Sequence, residues 1–111
     1  MAELTKNEEI ILLAVLHLKE NAYGVYISRR IKEMTGKQYN YGTLYRMLDQ
    51  IVRKGLLDRK EGEPIPEKGG RRKNYYSLTK YGAQVLQEVF DLQKSLWDSK
   101  TGNALKQLGL A

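Results

Sequence analysis

The chain opens on polar residues and then runs through seven apolar ones, Ile10–Leu16, before polar residues return. Thr5 with Glu8 three positions on makes a capping box, which predicts a first helix from there to Leu18 or Lys19. This helix is apolar nearly all round, so it is expected to touch both its own core and something else. Asn21 predicts a turn, and a second helix follows over Tyr23–Thr35. Tyr23, Ile27, Ile31 and Met34 share its inner face, while Ser28, Arg29 and Lys32 fall elsewhere. Gly36 ends it. Asn40 then caps a third helix, Tyr41–Lys54, with Leu44, Leu48 and Ile51 inside, supported by Met47 and Val52, and Gly55 as the stop. Three helices with a short turn between the last two predict a helix-turn-helix core.

Beyond Gly55 the pattern shortens to that of strands. Leu56–Lys60 and Asn74–Leu78 read as an antiparallel pair, with Tyr75 and Tyr76 pointing to opposite faces. The loop between them, Glu61–Lys73, holds both prolines and three glycines and is longer than a tight hairpin turn. Thr79 caps a fourth helix expected to reach Ser99, with Gly102-Asn103 breaking it and Ala104–Ala111 as a last turn or frayed tail. The expected fold is mainly α with a small β-hairpin wing. Residues 1–78 form a winged helix-turn-helix and 79–111 a C-terminal dimerisation helix and tail.

The fourth helix carries two apolar rows: Val85, Val89, Leu92 and Leu96, and Leu86, Phe90 and Trp97. Their arc is wider than one-sided packing needs, and a small domain has little core left to cover it. A second copy of the chain is the natural cover. The expected interface comprises Ile11, Leu12 and Val15 of the first helix with Val89, Phe90, Leu92, Leu96 and Trp97 of the fourth. Trp97 and Phe90 are also candidates for binding an aromatic effector, against the plainer reading that Trp97 only fills the interface.

Composition narrows the function. A chain of 111 residues is one domain with one core. A formal charge of +6 favours an anionic partner. With no cysteine and a single histidine, His17, disulfides, thiolate metal sites and histidine clusters are excluded, and no cofactor or metal is expected. No leader-like segment opens the chain, and its longest apolar run is too short for a bilayer, so the expected location is the cytoplasm. No nucleophile–base pair or phosphate loop is present, which argues against an enzyme.

The third helix and the loop are the candidates for double-stranded DNA. Asn40, Gly42 and Thr43 are small enough for a backbone to approach phosphate. Tyr41 and Tyr45 can reach phosphates or thymine methyls, and Arg46 can make a bidentate contact with guanine. The competing reading is an amphipathic helix with its tyrosines in the core. In the loop, Lys68, Arg71, Arg72 and Lys73 cluster around two glycines, which suits a phosphate backbone or a minor groove. A solvated charged turn is the alternative there. A winged helix used as a protein-interaction module remains the rival to DNA binding.

The same residues carry a family resemblance. Tyr41–Leu48 with Lys54-Gly55-Leu56-Leu57 resembles the G-T-L-Y…L…G-L-I signature of PadR-type transcriptional regulators. Gly69–Gly82 resembles their G-G-R-R-K-Y-Y-x-L-T-x-x-G wing, with Asn74 as one extra residue, and Tyr23-Gly24 resembles the Y-G pair opening their second helix. The likeness spans about Ile10 to Gly82, and the short length resembles the compact branch with one C-terminal dimerisation helix. It implies a homodimeric regulator, usually a repressor, on a pseudo-palindromic operator. It also implies a small aromatic effector, held in the compact branch between tryptophans at the dimer interface. Many members have proline after L-Y, where this chain has Arg46.

Overall fold

A computed structural model describes residues 3–64 and 72–109. The order is α1 (Lys6–Leu18), a short 3-10 turn (Lys19–Asn21), α2 (Gly24–Thr35), α3 (Tyr41–Arg53), β1 (Leu57–Pro64), β2 (Arg72–Leu78), α4 (Lys80–Leu96) and α5 (Ser99–Gln107). Local chemistry sets most of these boundaries. The Thr5–Glu8 capping box is complete in both directions, at 3.1 and 2.9 Å. The Asn40 side chain accepts from Thr43 N–H at 2.7 Å, and Thr79 accepts from Gly82 N–H at 2.9 Å. Gly36 closes α2 at φ 76°, a left-handed conformation that glycine adopts without strain.

One core unites the chain. Ile11, Leu12, Ile27, Ile31, Leu44, Leu48, Ile51, Leu57 and Val85 are its largest fully buried side chains, drawn from every element except β2, whose Tyr76 is also buried, and α5. The all-round apolarity of α1 is explained inside one chain. Ile11, Leu12 and Val15, expected at a dimer interface, are 0, 0 and 2% exposed and belong to the protomer core. A helix at the centre of a three-helix layer is surrounded on most of its circumference. What α1 leaves at the surface is Leu16 and, partly, Leu13.

The hairpin is longer than the alternation predicts. Leu57 pairs with Leu78, Asp58 with Ser77, and Arg59 with Tyr76, and the ladder continues past a register shift between Glu61 and Pro64 to reach Arg72. Gly62 sits at that irregularity under the Tyr75 ring, where a Cβ would lie 2.4 Å from the ring edge. The segment before α2 joins the far edge of β2: Tyr76 N–H donates to the Ala22 carbonyl at 2.8 Å, and Tyr23 bridges Tyr75. This places the first turn of α2 beside the wing. Tyr23 is therefore the N-cap residue of α2 at the surface and not a member of its buried face.

The C-terminal segment also differs from expectation. The fourth helix stops at Leu96, and Asp98 caps a separate α5 by accepting from Thr101 N–H at 2.9 Å. Gly102 and Asn103 lie inside α5 and do not break it. The competing cap at Asp98 decides the break, because a side-chain acceptor for an N-terminal N–H stabilises a new helix start there.

Candidate nucleic-acid interface

Helix α3 sits with its inner stripe in the core and its opposite side open. Tyr41 and Tyr45 are 52 and 41% exposed, and Arg46 is exposed beside them. The two tyrosine rings lie 6.3 Å apart with planes at 29°, forming a shelf along the first two turns. So the tyrosines are not core residues. Gly42 is exposed, and a Cβ there would meet only the Asn40 side chain, at 3.5 Å. Nothing within the chain needs a glycine at that position. Thr43 is half-buried, with its backbone N–H already committed to the Asn40 cap.

Tyr45 is seated by α2. A Cβ on Gly24 would fall 2.1 Å from the Tyr45 hydroxyl oxygen and 2.7 Å from the ring carbon bearing it. The Tyr-Gly pair at 23–24 thus has a packing purpose: it leaves room for a tyrosine from the next helix. On the other flank of α3, Asp49 accepts from Arg59 at 2.5 Å, which ties the helix to β1. Burial pushes the Tyr76 hydroxyl above its ordinary pKa, against a hydrogen bond from the same Arg59.

Of the four wing cations, Lys68 and Arg71 lie outside the described residues, as does the side chain of Arg72. Lys73 is placed: its ammonium stands 3.8 Å from the centroid of the Tyr23 ring. Tyr23 in turn packs on Tyr26 at 4.4 Å and edge-on to Tyr75 at 5.3 Å. The Arg29 guanidinium lies 5.7 Å from the Tyr26 centroid. Hydrogen bonds donated by Tyr26 and then by Lys73 hold the Tyr23 hydroxyl below its usual pKa. The Tyr26 group is raised by donating to Tyr23, and Lys73 is raised by its bond to Tyr23. Sequence periodicity missed this group, because a spacing of four placed Tyr23 on the inner face.

The apolar rows of α4 are divided along its length. Val85 is in the core and Val89 half-buried, whereas Phe90, Leu92, Leu96 and Trp97 are 57, 45, 61 and 66% exposed. Leu13, Leu16, Leu78, Leu86 and Phe90 line a groove of about 440 Å³ between α1 and α4, with Gln93 bonded to Glu9 within it. Trp97 does not line this groove, so the two candidate effector residues are not brought together within one chain. Among the described residues no metal-binding cluster occurs, and no helix is long and apolar enough to cross a membrane.

A three-helix core with an exposed third helix and an antiparallel hairpin beside it is a winged helix-turn-helix. The model of the transcriptional regulator PadR-like family matches residues 12–88, and the chain belongs to that family. It is therefore a transcriptional regulator and not an enzyme. Solved structures agree. RosR of H. salinarum is 30% identical, with a TM-score of 0.63 over 96% of this chain and 90% of that one. A complex named hsRosR-S4 is 28% identical at TM-score 0.68, covering 96 and 86%. A PadR-like transcription factor from Bacteroides fragilis is 28% identical at TM-score 0.66, covering 87% of each chain. No curated protein matches the chain.

Proposed function

We propose that this chain is a homodimeric repressor that binds a pseudo-palindromic operator. The observation that carries the reading is the outer side of α3, where Tyr41, Tyr45 and Arg46 stand exposed on a helix that the core holds beside the wing. In this reading α3 enters the major groove. Arg46 reads a base, and Asn40, Tyr41, Gly42, Thr43 and Tyr45 fit the sugar–phosphate walls. The wing cations Lys68, Arg71, Arg72 and Lys73 hold the flanking backbone.

Dimerisation is supported by Phe90, Leu92, Leu96 and Trp97, an apolar strip that one chain leaves open. Leu13 and Leu16 join Val89 in extending it, replacing Ile11, Leu12 and Val15. In such a dimer residues 79–111 form the joining segment, and an aromatic effector held near Phe90 and Trp97 would act on the spacing of the two α3 helices.

Selection from a pool of random duplexes tests the proposal. The expected winners carry two inverted half-sites about one helical turn apart, near 34 Å. Arg46→Ala should relax the preferred base at one position in each half-site. Recovery of unrelated duplexes with no shared half-site would leave the protein-interaction module as the better account. Titration of planar aromatic compounds against Trp97 fluorescence tests the effector, and an unmoved spectrum would confine Trp97 to packing.

A further inference from the structure

The cluster of Tyr23, Tyr26, Arg29 and Lys73 lies outside the recognition helix, and its cations are unusually placed. Both have aromatic partners, and among the described residues neither is in a salt bridge. An ammonium over a ring is held by the ring quadrupole while its N–H donors stay free to bond elsewhere. A guanidinium beside a ring likewise keeps its N–H fork open at the edge, the geometry that suits phosphate. The backbone makes the juxtaposition firm. Ala22 and Tyr23 are joined to Tyr76 and Tyr75, so the start of α2 and the strand that carries Lys73 are a single unit.

We propose that Tyr23, Tyr26, Arg29 and Lys73 form one phosphate-binding patch bridging α2 and β2, which grips the DNA backbone beside the groove entered by α3. The tyrosine rings hold the two cations in place before DNA arrives, so less side-chain freedom is lost on binding. Tyr23 is the positioning residue of the group, since its ring lies beneath Lys73, against Tyr26 and against Tyr75. Contacts of this kind add affinity without sequence preference. The inference rests on the DNA-binding reading above.

Arg29→Gln and Lys73→Gln each remove one cation, from two different elements. Fluorescence anisotropy over a salt series, with a labelled duplex of about 30 bp or three helical turns, reads both affinity and its salt slope. Each variant is expected to bind selected and random duplexes more weakly by the same factor, with the slope shallower by about 0.9. Tyr23→Phe keeps the rings and all the charge but loses the oxygen between Tyr26 and Lys73. It is expected to weaken binding with less change of slope than Lys73→Gln. Unchanged affinity and slope in Arg29→Gln would overturn the shared patch, even if Lys73→Gln were affected. If the wild-type protein itself bound no duplex in a salt-dependent way, the proposed function would fall first and the patch with it.

Discussion

Replacing Gly82 by alanine sets two principles against each other. Alanine is favoured over glycine inside a helix by about 1 kcal/mol, so propensity alone predicts a more stable protein. Gly82 lies in the first turn of α4, however, and a Cβ there would sit 2.1 Å from the Leu56 carbonyl oxygen and 3.0 Å from its carbon. The obstacle is backbone and cannot rotate away. That carbonyl also accepts from Thr79 N–H at 3.2 Å, while the Thr79 hydroxyl donates to the Gly55 carbonyl at 2.6 Å and accepts from Gly82 N–H. Relief requires α4 and the start of β1 to separate by about 1 Å, at the 1–3 kcal/mol typical of overpacking. Loosening the Thr79 cap adds about 1 kcal/mol. Against the propensity gain, the net is a loss of about 1–3 kcal/mol, or roughly 5–15 °C in Tm for a chain of this size. Urea and thermal unfolding followed by circular dichroism, at one protomer concentration for all proteins, measure it. Gly102→Ala is the matched control, because a Cβ there meets nothing within 4 Å, and it should be neutral or stabilising. A Gly82→Ala protein as stable as wild type would refute the argument that this glycine exists for close approach.

Three further outcomes are expected. Gly42→Ala should leave Tm unchanged or slightly raised, yet weaken operator binding in anisotropy titrations, since its open space lies outside the chain; full affinity would remove Gly42 from the interface. Phe90→Ser with Leu16→Ser should shift sedimentation from dimer to monomer, because both side chains are half or more exposed beside one groove; an unmoved dimer would locate the interface elsewhere. Burial pushes the Glu8 carboxyl up, but hydrogen bonds from Lys54 and the Thr5 backbone outweigh it and hold it below the ordinary 4.5. A depressed folded pKa means that this stabilisation is complete above 4.5 and is lost as pH falls through the folded value. Lys54→Met should therefore lower Tm at neutral pH and converge with wild type in acid, and a gap that is constant with pH would show that the ion pair is not its source.

Much of the architecture was legible along the chain because caps and periodicities are local. Thr5, Asn40 and Thr79 each accept from a backbone N–H three residues on, so their effect is written within one turn. The same logic applied to Asp98, whose cap at Thr101 ends α4 early, but the nearby Gly102 was the more conspicuous breaker. The paired motifs over 39–46 and 69–82 likewise carried the family, since the recognition helix and wing are contiguous in sequence.

By itself, then, the sequence determined the elements, the winged-helix class and the side of α3 that faces outward, all of which follow from interactions spanning a few residues. Only the tertiary structure decided which apolar face was spent on the core and which cations met which rings. Ile11, Leu12 and Val15 are buried because three helices and a hairpin close around α1, something no periodicity within α1 encodes. Tyr23 meets Lys73 across fifty residues because Ala22 and Tyr23 join the edge of β2. Gly24 and Gly82 are needed for the same reason: each leaves space for an atom brought from a distant element, a requirement absent until the chain has folded.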